Sequence, residues 1–579
     1  MDAAIAGFIH SSNLAQSGGR PLRTKQSSTS THSISQRLDA FERLPGVAPE
    51  WIAFALYVVL LCIVASFHEP WFDEAQSWQI ARVASLRDIL FSIPHYEGHP
   101  PLWHLLLALP ARLGVSYELG LKSVNIVICS AAVWLLLFRS PFPRIVKLPL
   151  PFTFFLFYQF GVLSRPYSLL FLAFVLAALA YPARNERPFR YVLPLVLLCL
   201  ASAYGLVLAG GIALVWLIEL LRAGLFRNGF ARFIRDRRTW ALALLLLIAI
   251  VNLLLILPAP DTYATSGIAA KNSLPVRLLY TTLVLPADAC FYDCFTGQIM
   301  LLSSFQFYAP LLVGGIVLGL LFWAALVYLS RRRRTTALLL IPYALFAVFG
   351  AFVYISRHHV GIAALFLLFW LWVDTQIGKD AEPSSTATLD TDSPGATRAA
   401  KKAEFTRALQ VCLCVLVLSI SIYWTVAASV HEIQQDYGYG RMLAAYIKEH
   451  HLESSRIMCG WGDDEDPVTG EPVLDTNSSG SVTLLPYFAH NIVFNLNGGS
   501  DAMGYATHRR ASAEENEANL RLWAAGGVPD LLLGSVNLES VYGNEVSMQD
   551  YVVVTQFSQT FIWKAVQYST QYPLYQKID

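Results

Sequence analysis

The sequence predicts a mostly α-helical, polytopic membrane bundle of about eleven spans, followed by a C-terminal soluble α/β domain. Three observations predict it. Of 579 residues, 55% are hydrophobic and 14% charged, with a mean hydropathy of +0.47. That is too apolar for a soluble globule. Clusters of Arg and Lys follow every other apolar stretch and are missing from the loops between. Near Ala428 the chain changes in kind, to short strand-like and helix-like patterns in alternation.

The first 45 residues are rich in Ser, Thr, Gln and Arg and lack apolar periodicity. They read as a disordered cytoplasmic tail. No basic stretch followed by an apolar core opens the chain, so the first span is expected to act as its own insertion signal. That span is Trp51 to Ser66, short for a crossing unless it extends a few residues at either end.

The loop from His68 to Leu107 comes next. Trp78, Ala81, Leu86 and Ile89 recur at helical spacing among polar residues, which predicts an amphipathic helix in the membrane interface. The stretch from His99 to Leu113 has only about a dozen apolar residues between prolines, and suits a juxtamembrane element.

Spans are then expected over Leu119 to Phe138, Leu148 to Leu163, and on to Tyr181. Tyr191 to Leu221 is long enough for two spans turning near Ser202-Ala203-Tyr204-Gly205. Trp240 to Leu257, Ala309 to Ser330, Thr336 to Ile355, Val360 to Val373 and Leu409 to Ala427 complete the set. The positive-inside rule places Arg139, Arg222 and Arg331 to Arg334 in the cytoplasm. It places the Asp73 loop, Arg165, Arg357 and the C-terminal domain on the other side. The expected divisions are a tail (1–45), a membrane domain (46–374), a cytoplasmic linker (375–406), a last span (407–427) and an extracytoplasmic α/β domain (428–579).

In that last domain, the stretch around Met442 and the stretch containing Asn516 and Leu520 read as helices. The runs at Ile457, Val493, Leu531 and Val552 read as strands of a small parallel or mixed sheet. Asp463-Asp464-Glu465-Asp466 reads as a solvated acidic loop, and Asn477-Ser478-Ser479 matches a glycosylation sequon. No phosphate-binding glycine loop and no metal-spaced cluster is visible. No cofactor is expected, and no divalent metal is indicated. The formal net charge of +1 sums charges segregated by side, and nucleic acid is not an expected partner.

Chemistry is expected where ionisable groups meet the membrane. Asp73 and Glu74 are adjacent carboxylates just past the first span. Asp73 also reads as a helix N-cap, with Gln76 three residues on completing a capping box. On the same side stand His99 before two prolines, Arg165 and Tyr167 at a span end, and Arg357, His358 and His359 between two spans. Such cations suit an anionic phosphate. Cys290 and Cys294 are close enough in sequence to be a disulfide candidate on an oxidising face. The other span cysteines read as small buried hydrophobes.

The Phe72-Asp73-Glu74-Ala75, Gly98-His99-Pro100-Pro101-Leu102 and Ser164-Arg165-Pro166-Tyr167 segments, in this order after a first span, resemble the C-type (GT-C) membrane glycosyltransferases. That superfamily includes the protein O-mannosyltransferases and the lipid A aminoarabinose transferase. The resemblance covers the membrane portion to about residue 375 and implies a catalytic GT-C-like bundle. It implies a polyprenyl-phosphate sugar donor and a lipid, glycan or protein acceptor. The residue matching Asp73 would be general base on the acceptor hydroxyl, which attacks the anomeric carbon with inversion. Glu74 would orient the acceptor or support Asp73. His99 stands where several relatives have lysine, and Arg357, His358 and His359 would supply phosphate-binding charge by position. The expected location is the bacterial cytoplasmic (inner) membrane. The alternatives from other classes are a transporter or flippase, and a non-catalytic assembly protein, for lipid-linked glycans.

Overall fold

The computed structural model describes residues 42, 46–225, 230–262, 273–294, 309–381, 394–460, 479–496, 502–534 and 536–578. Apart from residue 42, the expected N-terminal tail lies outside the described residues, as do the acidic run at 463–466 and Asn477 of the sequon.

Among the described residues, eight helical segments are long and apolar enough to cross a membrane. They include α1 (Ala48–Phe67), and, past α2 (Phe72–Val83) and α3 (Leu102–Arg112), α4 (Tyr117–Arg139). The segment Arg144–Val162 follows, then the shorter α5 (Tyr167–Ala180) and α6 (Pro188–Ala201). The remaining long helices are α7 (Ala203–Arg222), α8 (Arg237–Ile256), α9 (Ala309–Arg333), α11 (Arg357–Ala381) and α12 (Pro394–Gln434), with the shorter α10 (Thr336–Phe352) between α9 and α11.

Local chemistry sets the boundaries. Pro49 opens α1 in its first turn, where the missing N–H costs nothing. Ser202 breaks the expected double span: it is extended, and its hydroxyl accepts the Tyr204 N–H at 3.2 Å. Gly205 allows the two arms to meet, because a Cβ there would overlap the Leu198 carbonyl. The expected linker differs from the structure at both ends. Residues 375–381 continue α11, and 394–406 belong to the 41-residue α12. The expected single helix after Asp73 is broken too. It stops at Ala84, and Ser85 caps a separate turn, Leu86–Phe91.

The C-terminal part contains α13 (Gly440–Glu449), α14 (Ala513–Ala525) and a four-stranded mixed sheet in the order β1-β2-β4-β3. β1 (Ile457–Cys459) pairs parallel with β2 (Leu531–Leu533), and β2 pairs antiparallel with β4 (Val566–Lys577). β3 (Tyr551–Trp563) and β4 form a long hairpin. The sequence pattern does not announce β4, whose residues are partly exposed and polar on both faces. The run at Val493 is not a strand. It makes one bridge to Ile457 and turns away.

The hairpin tip enters the helical bundle. Trp563 packs edge-on against Phe154 and Phe155, with ring centroids 5.7 and 6.0 Å apart. Lys564, in a left-handed turn conformation (φ 53°), is fully buried. Its ammonium reaches Asp288 Oδ1 at 2.8 Å and the Tyr292 carbonyl at 2.6 Å. One apolar core therefore runs from the bundle into the C-terminal sheet.

Candidate active site

Asp73 lies in the first turn of α2, and Arg165 is its ion-pair partner. The Asp73 side chain is 30% exposed, and that exposure opens into a cavity. Burial raises its carboxyl above the ordinary 3.8; Arg165 opposes this and the carboxylate of Glu97 adds to it. Asp73 is not the helix cap that its spacing predicts. Trp71 occupies that position, and Glu74 accepts the Trp71 N–H at 3.2 Å. Gln76 does not complete a capping box with Asp73. Its amide binds the Ala506 backbone at 2.6 and 2.8 Å and Glu97 at 2.8 Å.

Glu74 is fully buried and faces away from the cavity, into the protein. It accepts the Ser164 N–H at 2.6 Å and lies 2.9 Å from His68 Nε2. Burial alone would raise its pKa, but His68 and the two amides hold it below the ordinary value. Every partner of Glu74 is internal, so it fixes the backbone beside Arg165.

Arg165 sits where the chain reverses between two apolar segments. A π-helical stretch, Phe155–Val162, ends there. Asn125 on α4 satisfies the carbonyls freed at that end, reaching Phe160, Gly161 and Leu163 at 3.0, 2.8 and 3.3 Å. Pro166 then starts α5. The guanidinium is stacked between Trp71 and Tyr167, 5.5 and 5.4 Å from the ring centroids.

The cavity beside this pair has a volume of about 160 Å³. Asp73, Glu97, His99, His104, Arg165 and His508 supply its ionisable wall. Burial, with Arg165 nearby, lowers the His99 imidazole to about 4, so it is neutral. Burial also lowers His104. Glu97 behaves oppositely: burial would raise it, but His508, 3.1 Å away, drives it down to about 2.

Tyr167 connects to a second group. Its ring centroid is 6.0 Å from that of His358 and 5.9 Å from that of His359. The Ser356 hydroxyl lies within 2.9 Å of both histidines, and Tyr204 stacks on His359 at 4.4 Å. His358 and His359 thus lie beside Tyr167, whose ring packs against Arg165. For Arg357, the acidic groups acting on it are Asp293 and Asp288, near the Lys564 tip. Cys290 and Cys294, the disulfide candidate, are both free thiols. The Cys294 sulfur is turned onto Asp288 at 3.4 Å.

The C-terminal domain covers α2. Gln76, Gln79 and Arg82 bind the carbonyls of Ala506, Gly504 and Phe488. The polar face expected to meet the membrane interface instead meets protein. Sequence reasoning missed Glu97, His104, His508, Ser356 and Tyr204 as neighbours of the site. Glu97 lies two residues before His99, in a turn closed by left-handed Gly98, and was within reach of a local argument. His508 had no local signal, being more than 400 residues from Gln76. Among the described residues, no three His, Cys, Asp or Glu side chains are grouped as a metal ion's ligands would be. Compared with models of protein families and with curated protein sequences, the chain matches none.

Proposed function

We propose that the protein is a glycosyltransferase that moves a sugar from a polyprenyl-phosphate donor to an acceptor hydroxyl. Asp73 is the general base and the anomeric centre inverts. The observation carrying this reading is the Asp73–Arg165 pair, a carboxylate held against a guanidinium beside a polar cavity at one end of an apolar helix bundle.

Each part has a task in such a reaction. A partly desolvated carboxylate with a raised pKa is a better proton acceptor than an exposed one. The acceptor O–H gives its proton to Asp73 as its oxygen bonds to the anomeric carbon, and the lipid phosphate leaves with the electron pair of the broken C–O bond. Arg165 and the neighbouring Tyr167, His358 and His359 face that growing negative charge. Glu74 is a positioning residue, because its carboxylate holds the Ser164 amide next to Arg165. His99 is neutral and offers a hydrogen bond rather than a charge.

The membrane arrangement belongs to the same reading. With the three shorter apolar helices, the chain crosses about eleven times. The helix ends bearing Arg139, Arg222 and Arg331 to Arg333 are cytoplasmic, and the Asp73 end with the C-terminal domain is extracytoplasmic.

The decisive experiment is transfer from radiolabelled polyprenyl-phosphate sugars by the purified protein and by Asp73→Asn. The wild type transfers label, and the variant loses roughly 10²–10⁴-fold while remaining folded and inserted. Full activity in Asp73→Asn would remove the base assignment, and an inert wild type across all donors would remove the reaction.

A further inference from the structure

Trp71 and Tyr167 hold the Arg165 guanidinium between their rings. Each ring is backed from the C-terminal domain, and both backing residues stand at the end of β3. Phe561 meets Trp71 directly and edge-on, with centroids 5.5 Å apart. Trp563 reaches Tyr167 through two rings of the bundle. It packs on Phe155 at 6.0 Å, Phe155 packs on Phe160 at 6.0 Å, and Phe160 packs on Tyr167 at 5.6 Å. Residues two apart on a strand share a face, so one face of β3 braces both sides of the cation.

The brace is itself fixed. The Thr560 N–H donates to the Asp436 carbonyl at 2.9 Å, just past the end of α12. Tyr437, the next residue, packs against Phe561, Trp71 and His68 with centroids 5.7, 6.4 and 5.0 Å apart. The Trp71 backbone is pinned by Glu74. Its indole N–H is buried and finds no hydrogen-bond partner among the described residues, so packing alone orients the ring.

From this geometry we infer that Phe561 and Trp563 are positioning residues for the Asp73–Arg165 pair, and that the C-terminal domain sets the electrostatics of the site through them. A cation–π contact weakens as the ring tilts or withdraws from the charge. With Phe561 cut back, Trp71 loses the ring behind it and the guanidinium loses one of its two faces. With Trp563 cut back, the same happens at Tyr167 through Phe155 and Phe160. In both cases Arg165 is held less closely against Asp73. Arg165 opposes the rise that burial imposes on the Asp73 carboxyl, so a looser Arg165 leaves Asp73 the weaker acid. The inference rests on the transferase reading only in treating the pair as catalytic.

The test is an infrared titration of Asp73 in the full-length protein in detergent. The carbonyl stretch of its protonated carboxyl is isolated by subtracting the spectrum of Asp73→Asn. Phe561→Leu and Trp563→Leu are each expected to raise the midpoint, weakening the acid roughly threefold or more, the size of one aromatic contact. Phe557→Leu is the control. It makes the same change earlier on β3, where the ring packs on Tyr446 at 5.9 Å within the C-terminal domain, and its midpoint stays with the wild type. Circular dichroism and the unfolding temperature establish that each variant is folded. Phe561→Met, which keeps most of the volume and loses the ring, carries the test if the leucine variants do not fold. An unmoved midpoint in a folded Phe561 or Trp563 variant, or an equal shift in Phe557→Leu, overturns the inference. The titration needs no substrate, so it separates the two ideas. A shifted midpoint in a protein that transfers nothing rejects the reaction and keeps the brace, and transfer with an unmoved midpoint does the reverse.

Discussion

His68 Nε2 and Glu74 Oε2 are 2.9 Å apart, and both side chains are wholly excluded from solvent. The other imidazole nitrogen lies 2.9 Å from Glu432 at the end of α12. One histidine therefore ties the helix that leads into the C-terminal domain to the carboxylate that holds the Arg165 turn. Removing one partner of a buried pair leaves an uncompensated charge, which costs about 3–5 kcal/mol. His68→Ala is expected to lose that much stability, measured by chemical unfolding in detergent.

The same contact has a pH signature. Burial would lower the His68 pKa, but Glu74 and Glu432 raise it from 6.5 to about 9. A raised cation stabilises the fold fully below its unfolded value and loses that contribution as pH climbs through the folded one. Wild-type stability should therefore decline between about pH 6.5 and 9 by more than that of His68→Gln. Unfolding temperatures across that range check it, and parallel curves would contradict it.

In the proposed transfer, Asp73 supplies the opposite limb, in rate rather than stability. A general base must be ionised, and burial sets its pKa above the ordinary 3.8. Transfer should fall as pH drops, with a midpoint above that value. Glu97→Gln removes a carboxylate that pushes the Asp73 pKa up, so the midpoint should move to lower pH. A pH profile of kcat/KM for the two proteins reads this directly.

These residues also show how far a single sequence reaches. Apolar length and alternating Arg clusters mark the helices, because crossing a bilayer constrains composition strongly. The Ser202 break was legible, since a polar, glycine-containing interruption cannot continue two apolar helices at once. Asp73, Arg165, His358 and His359 were legible as ionisable groups expected on one side of the membrane. Their pairing was not, because Asp73 and Arg165 are 92 residues apart in the chain. The cap was misread for a physical reason. Glu74, one residue on, takes the Trp71 N–H, while Asp73 turns to Arg165. β4 was missed because a hairpin strand of Gln, Tyr and Ser lacks the apolar alternation that marks a strand.

The hairpin tip gives a prediction about assembly. Lys564 and Asp288 are both fully buried, and Lys564 also lies over Trp424 at 4.4 Å. Lys564→Met strands Asp288 without its cation and should cost about 3–5 kcal/mol. Lys564→Met combined with Asp288→Asn should recover a large part, because replacing both members of a buried pair is far less costly than removing one. A double-mutant cycle by chemical unfolding measures the coupling. Additive losses would mean that the Lys564–Asp288 pair does not hold the tip.

Two adjacent glycines on α7 offer a sharper contrast. A Cβ on Gly211 would press into Pro342 of α10, whose Cα and Cβ already occupy that space. A Cβ on Gly210 would meet nothing within 4 Å. Small residues let apolar helices approach closely where no hydrophobic force pulls them together. Gly211→Ala should therefore push α7 from α10 and cost about 1–3 kcal/mol, the usual range for overpacking. Gly210→Ala should cost nothing measurable, since alanine suits a helix at least as well. The pair shares sequence context, chemistry and helix, so a difference in unfolding temperature reports the α7–α10 contact alone. Equal behaviour of the two variants would mean that these helices do not meet at Pro342.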